Sequence, residues 1–272
     1  MNILFVGDIY GRPGRRAASE WIPKLFRERA IDVCIANGEN AAGGFGITEG
    51  VAMKLFAYGI DVITTGNHVW DKKEAREYIG RASALLRPAN YPPGVVGRGR
   101  LILRGRNDIP VGILNLQGRV HMRDIDCPFR VGQDEIKKLR QETCVILVDF
   151  HAEATSEKIA FGWYVDGMVS AVIGTHTHVQ TGDERILPGG TAYMTDVGMT
   201  GPYDSVIGAE KTDAIRHFLT QMPTKFTPAK QDIRFCAVLI DVNEETGKAR
   251  RIERIMNPID ASQEKNFTET EA

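Results

Sequence analysis

The stretch Val169-Ser170-Ala171-Val172-Ile173-Gly174-Thr175-His176-Thr177-His178 joins a short apolar run directly to a pair of histidines. Runs of this kind, rich in Val and Ile and bounded by Gly, Asn or Asp, are typical of strands buried on both faces of a sheet. In α/β proteins, ligands bind beyond the carboxyl ends of such strands. The stretch therefore predicts a covered strand whose carboxyl end presents imidazole groups to a site.

Four other apolar runs end in the same manner. Asp8 follows residues 3–6, Glu39 and Asn40 follow residues 33–36, Asn67 and His68 follow residues 62–65, and His151 follows residues 144–150. Carboxylate, amide and imidazole groups suit manganese, iron or zinc ions. They outnumber the ligands that one tetrahedral ion needs, whereas a pair of ions sharing one carboxylate would use them all. The sequence predicts a two-metal site with seven ligands: Asp8, Glu39, Asn40, Asn67, His151, His176 and His178.

Taken singly, each of these residues has an ordinary structural explanation. Asp8 could cap the next helix, and Asn67-His68 could be a polar turn. The joint pattern favours a site, because four of the six histidines in the chain fall at strand ends. In an extended chain His176 and His178 would project to the same side, since residues two apart share a face.

Helical patterns lie between the predicted strands. Residues 15–29 carry an apolar stripe, and residues 71–79 begin with Asp71 and Glu74 at the spacing of a capping box. Further helices are predicted at residues 48–58, 133–140, 156–166 and 212–222. Alternation of strands and helices argues for an α/β fold with covered sheets. Hairpin patterns in residues 94–116 and 234–255 predict antiparallel strands in a second sheet packed on the first.

Composition and motifs exclude several classes of protein. The formal net charge of −1 over 272 residues gives no overall attraction for nucleic acid or an anionic membrane, although a local nucleotide site remains compatible. The four cysteines form no C-x-x-C pair, so a zinc ribbon or redox pair is not indicated. Nucleotide-binding glycine motifs and the G-x-S-x-G elbow are missing from the sequence. With neither a signal sequence nor an apolar run of spanning length, we expect a cytoplasmic protein.

The order Gly-Asp, Gly-Glu-Asn, Gly-Asn-His, His and Gly-Thr-His-Thr-His over residues 8–178 resembles the calcineurin-like metallophosphoesterase superfamily. Three segments are similar to one bacterial branch of it, a group of cytoplasmic phosphodiesterases of 2′,3′-cyclic nucleotides: residues 5–14, 37–40 and 195–202. Tyr10 and Glu39 replace the usual His and Asp of the superfamily, as they do in that branch. The resemblance implies two packed mixed β-sheets flanked by helices, a four-layer α/β/β/α sandwich. We expect a single domain over residues 1–260 and a disordered tail over residues 261–272.

The resemblance also implies roles for the site residues. One ion would be held by Asp8, Glu39, Asn40 and His178, and the other by Glu39, Asn67, His151 and His176. Iron or manganese is the expected metal, with zinc as the alternative. A hydroxide bridging the ions would attack phosphorus, and His68 would protonate the leaving oxygen as general acid. Arg12 and Arg15 could contact phosphate or form a solvated helix start, and residues 195–202 could be a pocket wall or a plain turn.

Other functions stay open on the sequence. A phosphomonoesterase or nucleotidase would use the same metals on a small phosphorylated substrate. A regulatory metal-binding protein with weak catalysis is a second alternative, although it would not need the proton donor His68. An amidohydrolase usually places its His-x-His after the first strand, whereas here it comes after residue 170. The sequence leaves open whether the protein is a homo-oligomer.

Overall fold

The computed structural model describes residues 1–106 and 108–259, which form thirteen strands and six helices. The first half contains β1 (Asn2–Val6), β2 (Asp8–Ile9), α1 (Gly11–Glu28), β3 (Val33–Asn37), α2 (Glu49–Ala57), β4 (Val62–Thr64), α3 (Ala75–Arg81), β5 (Arg100–Arg104), β6 (Pro110–Gln117) and α4 (Pro128–Leu139). The second half contains β7 (Ile146–His151), α5 (Thr155–Tyr164), β8 (Ala171–Thr175), β9 (Arg185–Ile186), β10 (Ala192–Met194), β11 (Met199–Pro202), α6 (Lys211–Thr220), β12 (Ile233–Val242) and β13 (Ala249–Pro258).

The strands form two mixed sheets. The first has the order β2-β11-β12-β1-β3-β4, with β13 paired to β12, and the second has the order β5-β6-β7-β8-β10-β9. Strands β1, β3 and β4 run parallel, as do β6, β7, β8 and β10. Strand β12 runs antiparallel to β1, and β5 and β9 are antiparallel edges of the second sheet. The parallel strands of each sheet therefore end together at one edge.

Alternating side chains of the central strands divide the core into layers. On β1, Ile3 and Phe5 pack in a cluster with β7 and β8 of the other sheet, so this cluster fills the space between the sheets. Leu4 and Val6 point to the opposite face and pack with residues of α1 and α2. On the outer face of the second sheet, residues of β6 and β7 pack against α4 and α5. The layers confirm the α/β/β/α sandwich.

Three local predictions were wrong. Helix α1 begins at Gly11, before residue 15, because its first turn of Gly, Pro and Arg residues carries no apolar stripe to mark it. Asp71 caps no helix: α3 begins at Ala75, and the Asp71 carboxylate accepts a hydrogen bond from His68 instead. The hairpin of β12 and β13 belongs to the first sheet, because β12 pairs along the whole of β1.

The predicted tail at residues 261–272 lies outside the described residues, and the single domain over residues 1–260 stays a prediction. Among the residues that the structure describes, no helix is both long enough and apolar enough to cross a bilayer.

The close approach of β8 to the segment after β10 gives a test of this packing. A methyl group added at Gly174 would overlap the carbonyl oxygen of Thr195. We expect Gly174→Ala to lower the free energy of unfolding by about 3 kcal/mol, measured by urea denaturation. In the control Gly182→Ala, the added atom meets only the end of the flexible Arg254 side chain at 3.2 Å, and the cost should stay below about 1 kcal/mol. Equal urea midpoints for the two variants would contradict this packing.

Candidate metal centre

The carboxyl ends of the parallel strands of both sheets meet at one buried site. Asp8 lies just beyond β1, His151 is the last residue of β7, and β8 ends at Thr175, directly before His176. Glu39 and Asn67 follow β3 and β4 in the same way. All seven predicted ligands are buried or partly buried at this edge.

One group of side chains surrounds the Nε2 atom of His151. Glu39 Oε1, Asn67 Oδ1 and His176 Nδ1 each lie 3.0 Å from this nitrogen. Glu39, His151 and His176 each offer a ligand atom within 4.8 Å of the others. The group therefore has the spacing of donors that can share one ion.

A second group contains Asp8, Asn40 and His178. The Nε2 atom of His178 lies 3.0 Å from Asn40 Nδ2 and 3.9 Å from Asp8 Oδ1. Its Nδ1 atom is 2.8 Å from the carbonyl oxygen of Ile207, which leaves Nε2 facing the group. Asn40 Nδ2 donates to Glu39 Oε1 at 3.4 Å, and the main-chain N–H of His176 donates to Asp8 Oδ2 at 3.2 Å. These two contacts join the second group to the first.

Asp149, buried two residues short of the end of β7, orients His151 through a hydroxyl group. Thr175 Oγ1 donates its only hydrogen to Asp149 Oδ1 at 2.7 Å. Thr175 Oγ1 is also 2.9 Å from His151 Nδ1, and therefore acts as the acceptor of an Nδ1–H. With its proton on Nδ1, the ring turns Nε2 toward Glu39 and His176. Second partners of this kind fix the tautomer of histidine ligands in metal sites.

The segment after β8 is not extended, so the prediction of a shared strand face for the two histidines was wrong. His176 and His178 have φ angles of 102° and 66°, in a region that side chains other than glycine rarely occupy. Pairing with β7 ends at Thr175, and Asp196 holds the turn instead. Its Oδ2 accepts hydrogen bonds from the main-chain N–H and the hydroxyl of Thr177 at 3.0 and 2.7 Å. The same oxygen contacts Lys158 Nζ at 2.7 Å in a fully buried ion pair.

The pKa values of the site residues show a strong conflict between burial and charge. Burial raises the pKa of Asp8 well above its ordinary value. Burial alone would also raise the pKa of Glu39, but the charge and hydrogen bond of His151 outweigh it and hold this pKa at about 2. Burial opposes the protonated form of His151, yet Glu39 and Asp8 raise its pKa to about 9. Burial and the neighbouring His151 lower the pKa of His176 to about 3.

The donor set fits a metal centre. Asp8 Oδ1 is fully buried and has no hydrogen-bond partner among the described residues, which is costly for a carboxylate unless a cation faces it. Oxygen and imidazole donors of this kind are typical ligands of manganese, iron and zinc. The structure therefore contains a possible metal-ligand cluster.

His68 lies at the rim of this centre. Its main-chain N–H donates to Glu39 Oε2 at 3.1 Å, whereas its ring is partly exposed. The ring Nδ1 is 2.7 Å from Asp71 Oδ2, and the ring packs against Phe45 in a T-shaped arrangement at a centroid distance of 5.1 Å. These contacts fix the ring while leaving Nε2 as the nitrogen available to a ligand.

The other candidates from the sequence are Arg12, Arg15 and residues 195–202. Arg12 is exposed and Arg15 is buried in the first turns of α1, where both line a cavity. Residues 195–202 contain Asp196 and β11, and Met199 of β11 pairs with Asp8 of β2. As a strand paired with β2, this segment helps to position Asp8.

Sequence reasoning missed the partners that hold the ligands. These are Asn37, Asp149, Lys158, Thr175 and Asp196, all of them buried. Asp149 carried one local signal, since it is the single charged residue within the apolar run Ile146-Leu147-Val148-Asp149-Phe150. Lys158 and Asp196 carried none, because they lie 38 residues apart in the chain.

The chain is similar to known proteins along nearly its whole length. The model of the family described as YmdB-like protein matches residues 4–255. A 2′,3′-cyclic-nucleotide 2′-phosphodiesterase of Bacillus subtilis (strain 168) is 48% identical over 256 residues, 94% of this chain and 97% of that protein. Among solved structures, a hypothetical protein from Thermus thermophilus has a TM-score of 0.89 at 40% identity, over 95% of this chain and 99% of the other. A novel phosphatase from Mycoplasma pneumoniae has a TM-score of 0.89 at 34% identity, over 98% and 97%.

The buried pair of Lys158 and Asp196 yields a test of how the histidine segment is held. Removing the lysine leaves the Asp196 carboxylate buried without its ionic partner, so we expect Lys158→Ala to cost about 3–5 kcal/mol of unfolding free energy in urea. The matched control is Lys211→Ala, which removes an exposed pair with Asp204 and should cost less than about 1 kcal/mol. Similar losses in both variants would show that Asp196 does not depend on Lys158.

Proposed function

Since the chain belongs to the YmdB-like protein family, we propose that it is a metal-dependent phosphodiesterase that hydrolyses 2′,3′-cyclic nucleotides. The observation that carries this proposal is the buried cluster of Glu39, His151 and His176, whose donor atoms lie within 4.8 Å of one another. The Bacillus relative, 48% identical, is named for this activity. All four cysteines are free, as is usual in the reducing cytoplasm where we place the protein.

The two groups of side chains would hold two metal ions, iron or manganese by their donor types. Glu39, Asn67, His151 and His176 would hold one ion, and Asp8, Glu39, Asn40 and His178 the other. When bound, such a pair would lower the pKa of a water molecule and neutralise charge on the phosphoryl oxygens. Glu39 lies between the groups, because its Oε1 contacts both His151 and Asn40.

His68 would supply the proton that the leaving sugar oxygen needs. Asp71 accepts the Nδ1 hydrogen of His68, so that Nε2 is the nitrogen from which a proton would pass to the departing oxygen. Phe45 packs against the same ring in a T-shaped arrangement. Opening the cyclic diester in this way leaves a phosphomonoester product.

A phosphomonoesterase is the second candidate, because the Mycoplasma pneumoniae relative is described as a phosphatase. The same ligands would serve both reactions. Parallel assays with a cyclic diester and with its monoester product separate them, since a phosphodiesterase releases no inorganic phosphate from either.

Replacement of His68 tests the general acid. We expect His68→Ala to lower kcat for a 2′,3′-cyclic nucleotide on the order of 100-fold, because the leaving oxygen loses its proton donor. Metal content, measured by elemental analysis, should stay at the wild-type value. The matched control is His217→Ala on α6, which should retain activity. If His68→Ala instead loses its metal, His68 is a ligand and its assigned role is wrong.

Replacement of Thr175 tests how His151 is oriented. Thr175→Val removes the acceptor of the Nδ1–H, and we expect metal affinity, measured by competition with a chelator, to fall about 10–100-fold. Thr191→Val makes the same change in another fully buried threonine, whose hydroxyl bonds the carbonyl oxygen of Val169, and should leave metal affinity unchanged. Removal of the metal by the chelator should abolish hydrolysis in all variants. Activity that survives complete metal removal would contradict the proposal.

A further inference from the structure

Phe45 is an aromatic residue that remains exposed at the rim of the candidate metal centre. It is 36% exposed, and its ring packs in a T-shaped arrangement against the ring of His68 at a centroid distance of 5.1 Å. The main-chain N–H of His68 donates to Glu39 Oε2 at 3.1 Å, so a single residue separates Phe45 from a predicted metal ligand. An apolar group that is open to water beside a polar site can contact the apolar part of a ligand.

The loop that carries Phe45 is held by hydrogen bonds at both ends. It begins at Asn40, a predicted ligand, whose carbonyl oxygen accepts a hydrogen bond from the N–H of Gly44 at 3.1 Å. The N–H of Ala42 donates to the carbonyl oxygen of Gly46 at 3.0 Å, which closes the turn around Phe45. These contacts fix the position of Phe45 relative to Asn40.

The two glycines next to Phe45 bring the loop against the segment that bears His68. Gly44 and Gly46 have φ angles of 96° and 72°, in a region that residues with side chains rarely adopt. A methyl group added at Gly46 would lie 2.8 Å from Lys72 Cγ and 3.3 Å from the carbonyl oxygen of His68. The main chain of the loop therefore packs directly on residues 68–72, and this packing sets Phe45 beside the ring of His68.

The base is the part of the proposed substrate that suits an aromatic ring. The cyclic phosphate is charged and the ribose is polar, whereas the base has a flat π face that stacks on aromatic side chains. The base is bonded to C1′ of the ribose, next to the C2′ atom that carries O2′, and it is one carbon farther from O3′. With His68 as the proton donor to the leaving oxygen, a base held at Phe45 brings O2′ to His68 in preference to O3′.

We propose that Phe45 packs against the base of the substrate and thereby selects O2′ as the leaving oxygen. The inference rests on the proposed function and adds a specificity-determining residue to it. In the selected reaction an oxygen atom from water bonds to phosphorus, the P–O2′ bond breaks, and O2′ takes the proton from His68. The product keeps its phosphate on O3′. Because every base has a π face, the contact accepts all four bases.

Ile207 is the competing position for the base. It is 57% exposed, and its carbonyl oxygen is 2.8 Å from His178 Nδ1, in the other group of predicted ligands. Its aliphatic side chain offers no ring for stacking, and its contact is with His178 and not with the proton donor. The structure therefore favours Phe45, and the variant Ile207→Ala tests the alternative.

The test compares two cyclic phosphates in the metal-loaded enzyme. One is adenosine 2′,3′-cyclic phosphate, and the other is methyl riboside 2′,3′-cyclic phosphate, in which a methoxy group replaces the base. We expect Phe45→Ala to lower the ratio of kcat/KM for the first substrate to kcat/KM for the second about tenfold, because only the first loses a stacking contact. The ratio removes any general effect of the substitution through His68, since such an effect would act on both substrates.

Further variants separate stacking from other roles. Phe45→Trp keeps an aromatic ring, so it should keep the preference for the nucleotide. The matched control Phe218→Ala removes a phenylalanine of α6 that is 70% exposed, and it should match the wild type on both substrates. Equal losses on both substrates for Phe45→Ala would overturn the inference. A fall in the ratio for Ile207→Ala, with none for Phe45→Ala, would overturn it as well.

The reaction products provide a second readout. Phosphorus NMR distinguishes the 3′-monophosphate of adenosine from the 2′-monophosphate. The wild type should release the 3′-monophosphate, and Phe45→Ala should release a mixture of the two. A 2′-monophosphate product from the wild type, or an unchanged product from Phe45→Ala, would overturn the inference while leaving the proposed function intact. If the wild type hydrolyses neither cyclic phosphate, the proposed function fails and the inference fails with it.

Discussion

The carboxylate of Asp149 ties the two sheets together directly beneath the candidate metal centre. Its Oδ2 accepts hydrogen bonds from Asn37 Nδ2 at 3.0 Å and Thr64 Oγ1 at 2.5 Å on the first sheet, and its Oδ1 accepts from Thr175 on the second. Burial raises the pKa of this carboxyl group, and the hydrogen bonds from Thr64, Thr175 and Asn37 oppose that rise. Because every ligand extends from a strand end on one sheet or the other, this shared contact sets the distance between the halves of the site.

The ligands themselves could be predicted from the sequence, because each follows an apolar run of strand character. The residues that hold these ligands in place could not be predicted in this way. The contact of Asn37 with Asp149 joins residues 112 positions apart, and no local pattern in the chain marks such a pair. The turn that bears His176 and His178 was misjudged for the same reason, since its strained backbone is held from outside by Asp196. Hydrophobic periodicity likewise predicted the layers of the fold. It missed the start of α1, because the first turn of this helix carries no apolar stripe and contains an arginine that lines a cavity.

At this edge of the sheets, the residues that suit a metal centre lower the stability of the fold. The site buries carboxylates and imidazoles at a cost that neutral packing would avoid, and the same burial raises the pKa of Asp8 well above its ordinary value. The burial becomes less costly once metal cations bind these carboxylates.

The most direct test of this account is the anomalous scattering of a crystal of the protein, measured at the iron and manganese absorption edges. The account predicts two peaks in contact with Glu39, one beside His151 and His176 and the other beside Asp8 and His178. A single peak, or peaks that lie away from Glu39, would contradict the claim that the two sheets meet to hold a pair of ions.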